Sequence, residues 1–246
     1  MPSTEHDPPP PSPEDVEESL RRCRILDLDP VGIGSNAVFL ASLDLPAGTG
    51  RGIYKPRRGE RPLWDFPRGT LYLREVAAFE VDRALGWGLL PTTVVRRDGP
   101  LGPGSLQEFV EGPEDEVAVD KEELERNLLG LAVLDVIINN ADRKSQHLLV
   151  DSSGHLKGID HGVTFNTEFK LRTVLAELGG QPIPKTWLLE LRDFWQAPER
   201  VSRLRARLRP LLSADEVRAL ERRSRELLSS RHFPRLHPWY GRPFEW

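Results

Sequence analysis

Hydrophobic and polar positions follow two different patterns along this chain. Between residues 24 and 110, short runs of alternating apolar and polar residues predict strands. Thr70–Leu85 instead repeats apolar residues every three or four positions, which predicts a helix. The five predicted strands cover Arg24–Val31, Ala37–Leu43, Arg51–Lys55, Thr93–Arg97 and Ser105–Val110. Five strands and one helix form a small, mostly antiparallel lobe.

The pattern becomes mainly helical after residue 120. Lys121 to about Ile138 carries apolar residues at spacings of three and four, which predicts a long helix. A hairpin with strands His147–Val150 and Leu156–Ile159 interrupts the helices, and Ser213–Glu216 is a capping box that opens another helix. The fold class that follows is α+β, with a β-rich N-lobe and a mainly helical C-lobe.

Composition changes along the chain predict the domain boundaries. Residues 1–13 are rich in proline and polar residues, which is typical of a disordered tail. The natural linker is Glu111-Gly112-Pro113-Glu114-Asp115, so residues 14–111 are predicted to form the N-lobe and residues 112–246 the C-lobe.

The overall composition excludes several classes of protein. A net charge of -4, without a basic helix or an aromatic–basic strand, argues against a nucleic-acid-binding protein. The single cysteine, Cys23, excludes an internal disulfide and a multi-cysteine zinc site. No apolar run approaches the roughly 18–20 residues of a transmembrane helix. Because no secretory signal begins the chain, we expect a cytoplasmic protein.

Asp142 and Asp160 flank the predicted hairpin. Because a hairpin returns the chain on itself, both carboxylates can face one cleft. Asp142 would orient or deprotonate an acceptor hydroxyl, and Asp160 would bind magnesium, which prefers oxygen ligands. The structural alternatives are a surface ion pair between Asp142 and Arg143 and an ordinary turn at Asp160–Gly162.

Lys55 ends a predicted strand and shares its face with Ile53. A lysine that points inward needs an anionic partner, because burying an unpaired ammonium is costly. Glu75 on the predicted helix is the favoured partner, with Glu80 as a rival, and phosphate oxygens would be a second partner. The alternative is a solvated lysine at the end of a strand.

A glycine-rich turn separates the first two predicted strands. Gly32, Gly34, Ser35 and Asn36 can cover phosphates and offer them backbone N–H groups, although an ordinary hairpin turn has the same composition. The chain has no Walker-type phosphate-binding sequence, which argues against a P-loop nucleotidase.

The predicted strand before the linker is a candidate adenine-binding segment. Backbone groups of Gln107, Glu108 and Val110 can hydrogen-bond an adenine edge where two lobes enclose a nucleotide. The alternative is a core strand without contact to any ligand.

These motifs together resemble phosphatidylinositol 3-/4-kinase-related proteins, most closely the type II phosphatidylinositol 4-kinases and small bacterial relatives. The resemblance covers about residues 30–166, and the order and spacing of its motifs make it specific for the fold. It is carried by Gly34-Ser35-Asn36, Ile53-Tyr54-Lys55-Pro56-Arg57, Tyr72–Glu75, Ser105–Gly112, Asn140–Arg143 and Ile159–Gly162.

The resemblance implies a bilobal kinase-like fold and a set of catalytic roles. Lys55 is the ATP lysine, Glu75 its partner on the helix and Asp142 the catalytic-loop aspartate, with Arg143 beside it among the catalytic residues. Asp160 is the metal aspartate. The expected cofactors are ATP and Mg²⁺.

The chain departs from the family pattern at one position. The family usually places an asparagine, a second metal ligand, five residues after the catalytic aspartate, and this chain has His147 there. Imidazole suits softer metals than magnesium. His147 is therefore either a metal ligand, with Mn²⁺ as an alternative ion, or a hairpin residue that donates to a carbonyl.

The expected function is an ATP-dependent phosphotransferase. The chain lacks the cysteine-rich insert of type II lipid kinases, so the hydroxyl acceptor can be a small molecule, a protein or a lipid headgroup. Two alternatives stay open: a nucleotide-binding, pseudokinase-like regulatory module, and a kinase-fold enzyme that transfers AMP.

Overall fold

The computed structural model describes residues 12–32, 36–46, 48–113 and 120–236. The N-lobe is built on one antiparallel sheet with the strand order β1-β2-β3-β5-β4. All five predicted strands are present, and their ends differ from the predicted ends by up to three residues. The strands are β1 (Arg24–Pro30), β2 (Phe39–Leu45), β3 (Gly48–Pro56), β4 (Thr93–Arg96) and β5 (Gly104–Glu108).

One face of this sheet is covered by helix α1 (Pro13–Arg22), which Ser12 caps. Tyr54 in β3 is fully buried in the apolar cluster beneath α1, together with Leu20 and Leu106. Because side chains alternate along a strand, Lys55 projects from the opposite face. That face is the one that looks toward the C-lobe.

Helix α2 (Leu71–Leu85) belongs to the N-lobe by sequence but packs deeply between the lobes. Arg74, which is almost fully buried, donates to the Thr164 carbonyl at 2.7 Å and forms an ion pair with Glu216 of the C-lobe. The helix ends at Gly86, whose φ of 79° terminates it in the left-handed region. These contacts fix the direction in which Glu75 points.

The C-lobe contains the remaining described helices around one apolar core. They are α3 (Lys121–Ile138), α4 (Lys185–Trp195), α5 (Pro198–Leu208) and α6 (Ala214–Ser230), and a hairpin of β6 (Leu148–Val150) and β7 (Leu156–Gly158) follows α3. The capping box predicted at Ser213 is present. The prediction of an α+β, bilobal kinase-like fold is confirmed.

Three predicted features fall partly or wholly outside the described residues: most of the proline-rich tail, Gly34 with Ser35 in the glycine turn, and the part of the linker after Pro113. The structure corrects the predicted hairpin at His147. This residue ends a short 3₁₀ turn, Ser145–His147, instead of starting a strand. Across the ranges that the structure does describe, every helix is too short or too polar to cross a membrane.

Candidate active site

Lys55, Glu75 and Asp160 meet in the cleft between the lobes. The Lys55 amine lies 2.5 Å from Glu75 Oε1 and 3.0 Å from Asp160 Oδ1. The partner of Lys55 is therefore Glu75, as favoured, whereas Glu80 pairs with Arg83 and Arg207. The structure thus joins residues from β3, α2 and the loop after β7 around a single amine.

Electrostatics keep this amine charged. Burial works against the ammonium form, but the carboxylates of Asp160 and Glu75 outweigh it and raise the pKa of Lys55. The same lysine holds the pKa of Asp160 well below its usual range. Burial raises the pKa of Glu75 against the influence of Lys55. The cleft therefore presents a charged ammonium beside the ionised carboxylate of Asp160, whose side chain is 46% exposed.

The turn that carries Asp160 is conformationally unusual. Asp160 has a φ of 61°, in the left-handed region that residues other than glycine rarely adopt. The backbone N–H of His161 donates to Glu75 Oε2 at 2.9 Å, which ties the turn to α2. Uncommon backbone conformations held in place by neighbouring contacts cluster at functional sites.

His147 contacts Asp160 and not a backbone carbonyl. Its Nε2 lies 3.3 Å from Asp160 Oδ2, and the backbone N–H of Lys144 faces its Nδ1 at 3.4 Å. Burial lowers the pKa of His147, so the ring is neutral at neutral pH. A neutral ring protonated on Nε2 satisfies both contacts, because Nδ1 then accepts and Nε2 donates.

Arg143 lies in a different environment from the cleft residues. Its guanidinium is fully buried and donates to both oxygens of Asp135, at 2.8 and 2.9 Å. It also donates to the Ile159 carbonyl at 2.9 Å and lies 2.6 Å from His161 Nε2. Neither a surface ion pair with Asp142 nor contact with a substrate agrees with this burial. Arg143 instead joins the loop after α3 to the segment before Asp160.

Asp142 sits on the loop that Arg143 holds. Its backbone N–H donates to Asn140 Oδ1 at 3.0 Å, and the side chain of Asn140 in turn donates to Asp135. The carboxylate of Asp142 is partly exposed and pairs with the Lys144 amine at 3.0 Å. The loop backbone is therefore fixed, while the carboxylate of Asp142 stays accessible.

A cavity with an empty volume of about 510 Å³ lies beside these groups. Lys55, Glu75 and Asp160 line it together with Asn36 and Glu60. Glu60 Oε1 accepts the backbone N–H of Tyr72 at 2.8 Å, while its Oε2 is buried without a hydrogen-bond partner. A buried oxygen without a partner is energetically costly, so it marks a place where a ligand can bind.

The predicted adenine segment does not line this cavity, and Glu108 and Val110 line a separate pocket instead. Gln107 is buried in β5, where its side chain donates to Thr93, and the backbone N–H of Glu108 donates to the Thr92 carbonyl. Val110 follows the end of β5 and is half-buried. Of the three residues, Val110 is the one outside the sheet ladder.

The described part of the glycine turn shows why asparagine is useful there. Gly32 has a φ of 72° and starts the turn, and Asn36 Oδ1 accepts the backbone N–H of Arg61 at 2.7 Å. The side chain of Asn36 therefore supports the loop after β3.

Sequence reasoning missed four residues of the site: Asp135, Lys144, Glu60 and His161. Lys144 follows Asp142 by two positions, and Asp135 is an acid within an apolar helix stripe, so both had visible signals. Glu60 and His161 had none, because their roles depend on the path of the loop after β3 and on the turn at Asp160. Among the described residues, no group of three or more His, Cys, Asp or Glu side chains could hold a metal ion.

Two sequence comparisons locate the chain among known proteins. The profile of the family described as phosphatidylinositol 3- and 4-kinase matches residues 94–186, which include Asp142 and Asp160. Protein Rv2133c of Mycobacterium tuberculosis is 37% identical over an alignment 253 positions long. The alignment covers 86% of this chain and 87% of that protein.

Solved structures with kinase folds are similar to this chain at low identity. The Golgi casein kinase with Mn/ADP bound has a TM-score of 0.60 at 15% identity, covering 89% of this chain and 75% of that one. Hydra Fam20 with sugar has a TM-score of 0.60 at 17% identity, covering 87% and 86%. The Helicobacter pylori proinflammatory kinase CtkA has a TM-score of 0.53 at 12% identity, covering 87% and 94%.

Proposed function

The chain belongs to the same family as Protein Rv2133c, within the phosphatidylinositol 3-/4-kinase-like proteins, and we propose that it transfers the γ-phosphate of ATP to a hydroxyl acceptor. The observation that carries this proposal is the Lys55 amine between Glu75 and Asp160 in the cleft, where His147 joins Asp160 to the loop of Asp142. Phosphoryl transfer needs positioning and charge neutralisation more than covalent chemistry, and this arrangement provides both.

In this proposal Lys55 binds the phosphate oxygens of ATP. Glu75 holds the amine in place. The contact between the amine and Asp160 is replaced by a contact between the amine and the nucleotide. Because the pKa of Lys55 is raised, the amine carries its charge at any physiological pH. Glu75 is itself fixed by the backbone N–H of His161, so the lysine cannot turn away from the cleft.

Asp142 accepts the proton of the acceptor hydroxyl or orients that hydroxyl toward the phosphate. Lys144, whose amine is 3.0 Å from Asp142, is close enough to neutralise charge on the transferred group. Arg143 acts through the loop: it positions Asp142 without touching the substrate.

Asp160 fits the role of the residue that holds a divalent cation. Magnesium is commonly bound by one or two carboxylates together with substrate phosphates, so a site without a complete protein ligand set is expected for a nucleotide enzyme. Glu60 Oε2, which lines the same cavity, is a candidate second oxygen. When bound, the ion neutralises phosphate charge. The related fold of the Golgi casein kinase was solved with Mn/ADP, which supports Mn²⁺ as an alternative to Mg²⁺.

His147 favours one second candidate, a nucleotide-binding module with little turnover. Its Nε2 faces Asp160, so the imidazole competes with a metal ion for Asp160 Oδ2. If that contact persists with nucleotide bound, ATP stabilises the fold without transfer.

The two candidates are separated by following ATP labelled at the α- or γ-phosphate. The kinase proposal expects γ-label in a hydroxyl acceptor, in the protein itself or in released phosphate, and at least a 100-fold loss in Asp142→Asn. Asp193→Asn, an exposed aspartate on α4, is the matched control. Label transferred from the α-phosphate would identify AMP transfer, and ATP binding without any product would support the regulatory module.

A further inference from the structure

An open pocket lies outside the nucleotide cleft, on the N-lobe. The chain between β3 and α2 forms its wall, and its empty volume is about 990 Å³. Four exposed arginines line it: Arg57, Arg58, Arg61 and Arg68. We refer to it as the arginine pocket.

These four arginines differ from most arginines near them. Arg51, Arg74 and Arg83 each form an ion pair with a glutamate. Within the described residues, none of the four guanidinium groups of the arginine pocket has an ion pair or a side-chain hydrogen bond in the structure. Like charges concentrated in one concavity repel each other, so the pocket is complementary to an anion.

Among the described residues that line the pocket, one is acidic, so a single carboxylate faces four guanidinium groups. Glu60 lines the wall, but its Oε1 accepts the Tyr72 N–H. It therefore leaves most of the positive charge without compensation. Guanidinium groups bind phosphate through paired N–H donors, and phosphate is the anion that best matches several of them at once.

The start of α2 adds to this anion site. The Arg57 guanidinium packs directly on Gly69, where any side-chain carbon would collide with its Nε, and Gly69 has a φ of 72°. Thr70, at the N-cap of the 15-residue helix, makes no side-chain hydrogen bond to the first turn. The positive end of the helix dipole thus lies beside the arginines.

The wall of the pocket is connected to two parts of the cleft. The carbonyl of Gly59 accepts the Ala37 N–H at 3.0 Å, and the Arg61 N–H donates to Asn36, so the wall supports the glycine turn. Through Glu60 and Tyr72 it also contacts α2, which carries Glu75. A ligand that orders this wall would act on both groups that enclose the nucleotide phosphates.

We propose that the arginine pocket binds a small phosphate-bearing ligand other than the nucleotide in the cleft, and that this ligand orders residues 57–70. The concave shape favours a discrete anion over a flat surface. Binding itself does not depend on phosphotransfer, so it can be tested even if the proposed kinase activity is wrong.

Binding is measured by calorimetry with inorganic tripolyphosphate at about 0.15 M salt. The measurement uses the Lys55→Ala variant as the parent, because this change weakens anion binding in the cleft. We expect saturable one-to-one binding, and at least about tenfold weaker binding when Arg58→Ala and Arg61→Ala are added. The matched control adds Arg203→Ala and Arg209→Ala, two exposed arginines on and after α5, and is expected to bind like the parent. Amide exchange of residues 57–73 should slow with tripolyphosphate only where the pocket is intact.

Equal affinity in the Arg58/Arg61 variant and its parent would overturn the proposal. An equal loss in the Arg203/Arg209 control would also overturn it, because net charge alone would then explain binding. Binding to vesicles of anionic phospholipid, with no response to tripolyphosphate, would assign the surface to a membrane and exclude a discrete ligand.

Discussion

Two clusters of charged residues contact the same turn, at residues 159–161, and behave differently. The cleft cluster is Lys55, Glu75 and Asp160, and the loop clamp is Asp135 with Arg143. Lys55 and Asp160 keep 17% and 46% of their side chains exposed, whereas Arg143 and Asp135 keep 0% and 1%. One cluster is open to a ligand, and the other is sealed.

The difference extends to hydrogen bonding. Arg143 reaches both oxygens of Asp135, the carbonyl of Ile159 and the ring of His161, so little donor capacity is left over. In the cleft, Asp160 is held in a left-handed turn and shares its oxygens with an amine and an imidazole that a ligand can replace. A buried cluster whose hydrogen-bonding groups are all paired has a structural role. An accessible cluster whose partners a ligand can replace is suited to binding that ligand.

Replacing Arg143 by Met should have the largest effect on stability. The change leaves Asp135 buried without its cation, which costs about 3–5 kcal/mol of unfolding free energy. Urea denaturation of wild type and variant measures it. Catalytic loss should accompany the loss of stability, because the loop of Asp142 loses its clamp.

The matched variant combines Arg143→Met with Asp135→Leu, which removes both charges. Replacing a whole buried pair by apolar side chains is often neutral, so this variant should regain most of the lost stability. A single variant that loses less than about 1 kcal/mol would show that the clamp is not a buried ion pair in solution.

Replacing Lys55 by Met should have a smaller effect on stability and a larger one on nucleotide binding. Glu75 loses its cation but keeps the His161 N–H and can take up a proton, so we expect a loss of roughly 1–2 kcal/mol. Thermal unfolding with and without ATP and Mg²⁺ should show that the ATP-dependent rise in Tm disappears. An unchanged rise would place ATP somewhere other than this cleft.

The sequence predicted the fold well because local patterns decide it. Alternation in β3 and the three-to-four spacing in α2 are local features, and the packing of Tyr54 follows from them. The helical face alone does not identify Glu75 as the partner of Lys55, because it places Glu80 in the apolar stripe and Glu75 away from it. The packing of α2 decides the choice, and Glu80 pairs with Arg83 instead.

The rest of the site could not be read from local pattern. Arg143 was expected beside Asp142 in a catalytic role, but its ion-pair partner is Asp135, eight residues earlier in the last turn of α3. The contact of His147 with Asp160 depends on a 3₁₀ turn that displaces the ring from the predicted strand. Such contacts join segments whose approach is set by tertiary packing.

Within the part of the chain that the structure describes, Asp82 is a buried acid without an arginine partner, so it shows by comparison what Arg143 contributes to Asp135. The carboxylate of Asp82 accepts only the backbone N–H groups of Leu89 and Leu90, and burial raises its pKa to about 7. The folded state therefore binds a proton that the unfolded state releases above pH 3.8. Stability from this group is complete at low pH and is lost as pH rises toward 7.

The expected loss from Asp82 is roughly 2 kcal/mol between pH 5 and pH 7, measured as urea unfolding free energy. Asp82→Asn should be less stable near pH 5 and should flatten this dependence. Asp98→Asn is the control, because Asp98 is exposed and its pKa is lowered by Arg96, outside this window. If the unfolding free energies of wild type and Asp82→Asn depend on pH in the same way, Asp82 is ionised in the folded state.

Asp160→Asn should change stability least, and it separates the two clusters most sharply. Asparagine tolerates the left-handed φ of this position, and Lys55 keeps Glu75 as a partner. Because the lost ion pair with Lys55 is half-exposed, the loss of unfolding free energy should be about 1 kcal/mol. The metal-dependent part of ATP stabilisation should disappear, because the amide is a poor ligand for Mg²⁺ next to a charged phosphate. Thermal shifts with ATP alone, and with ATP plus Mg²⁺ or Mn²⁺, measure this. If Asp160→Asn instead destabilised the fold as much as Arg143→Met, the cleft acid would be a structural residue, and the distinction between an open and a sealed cluster would not hold.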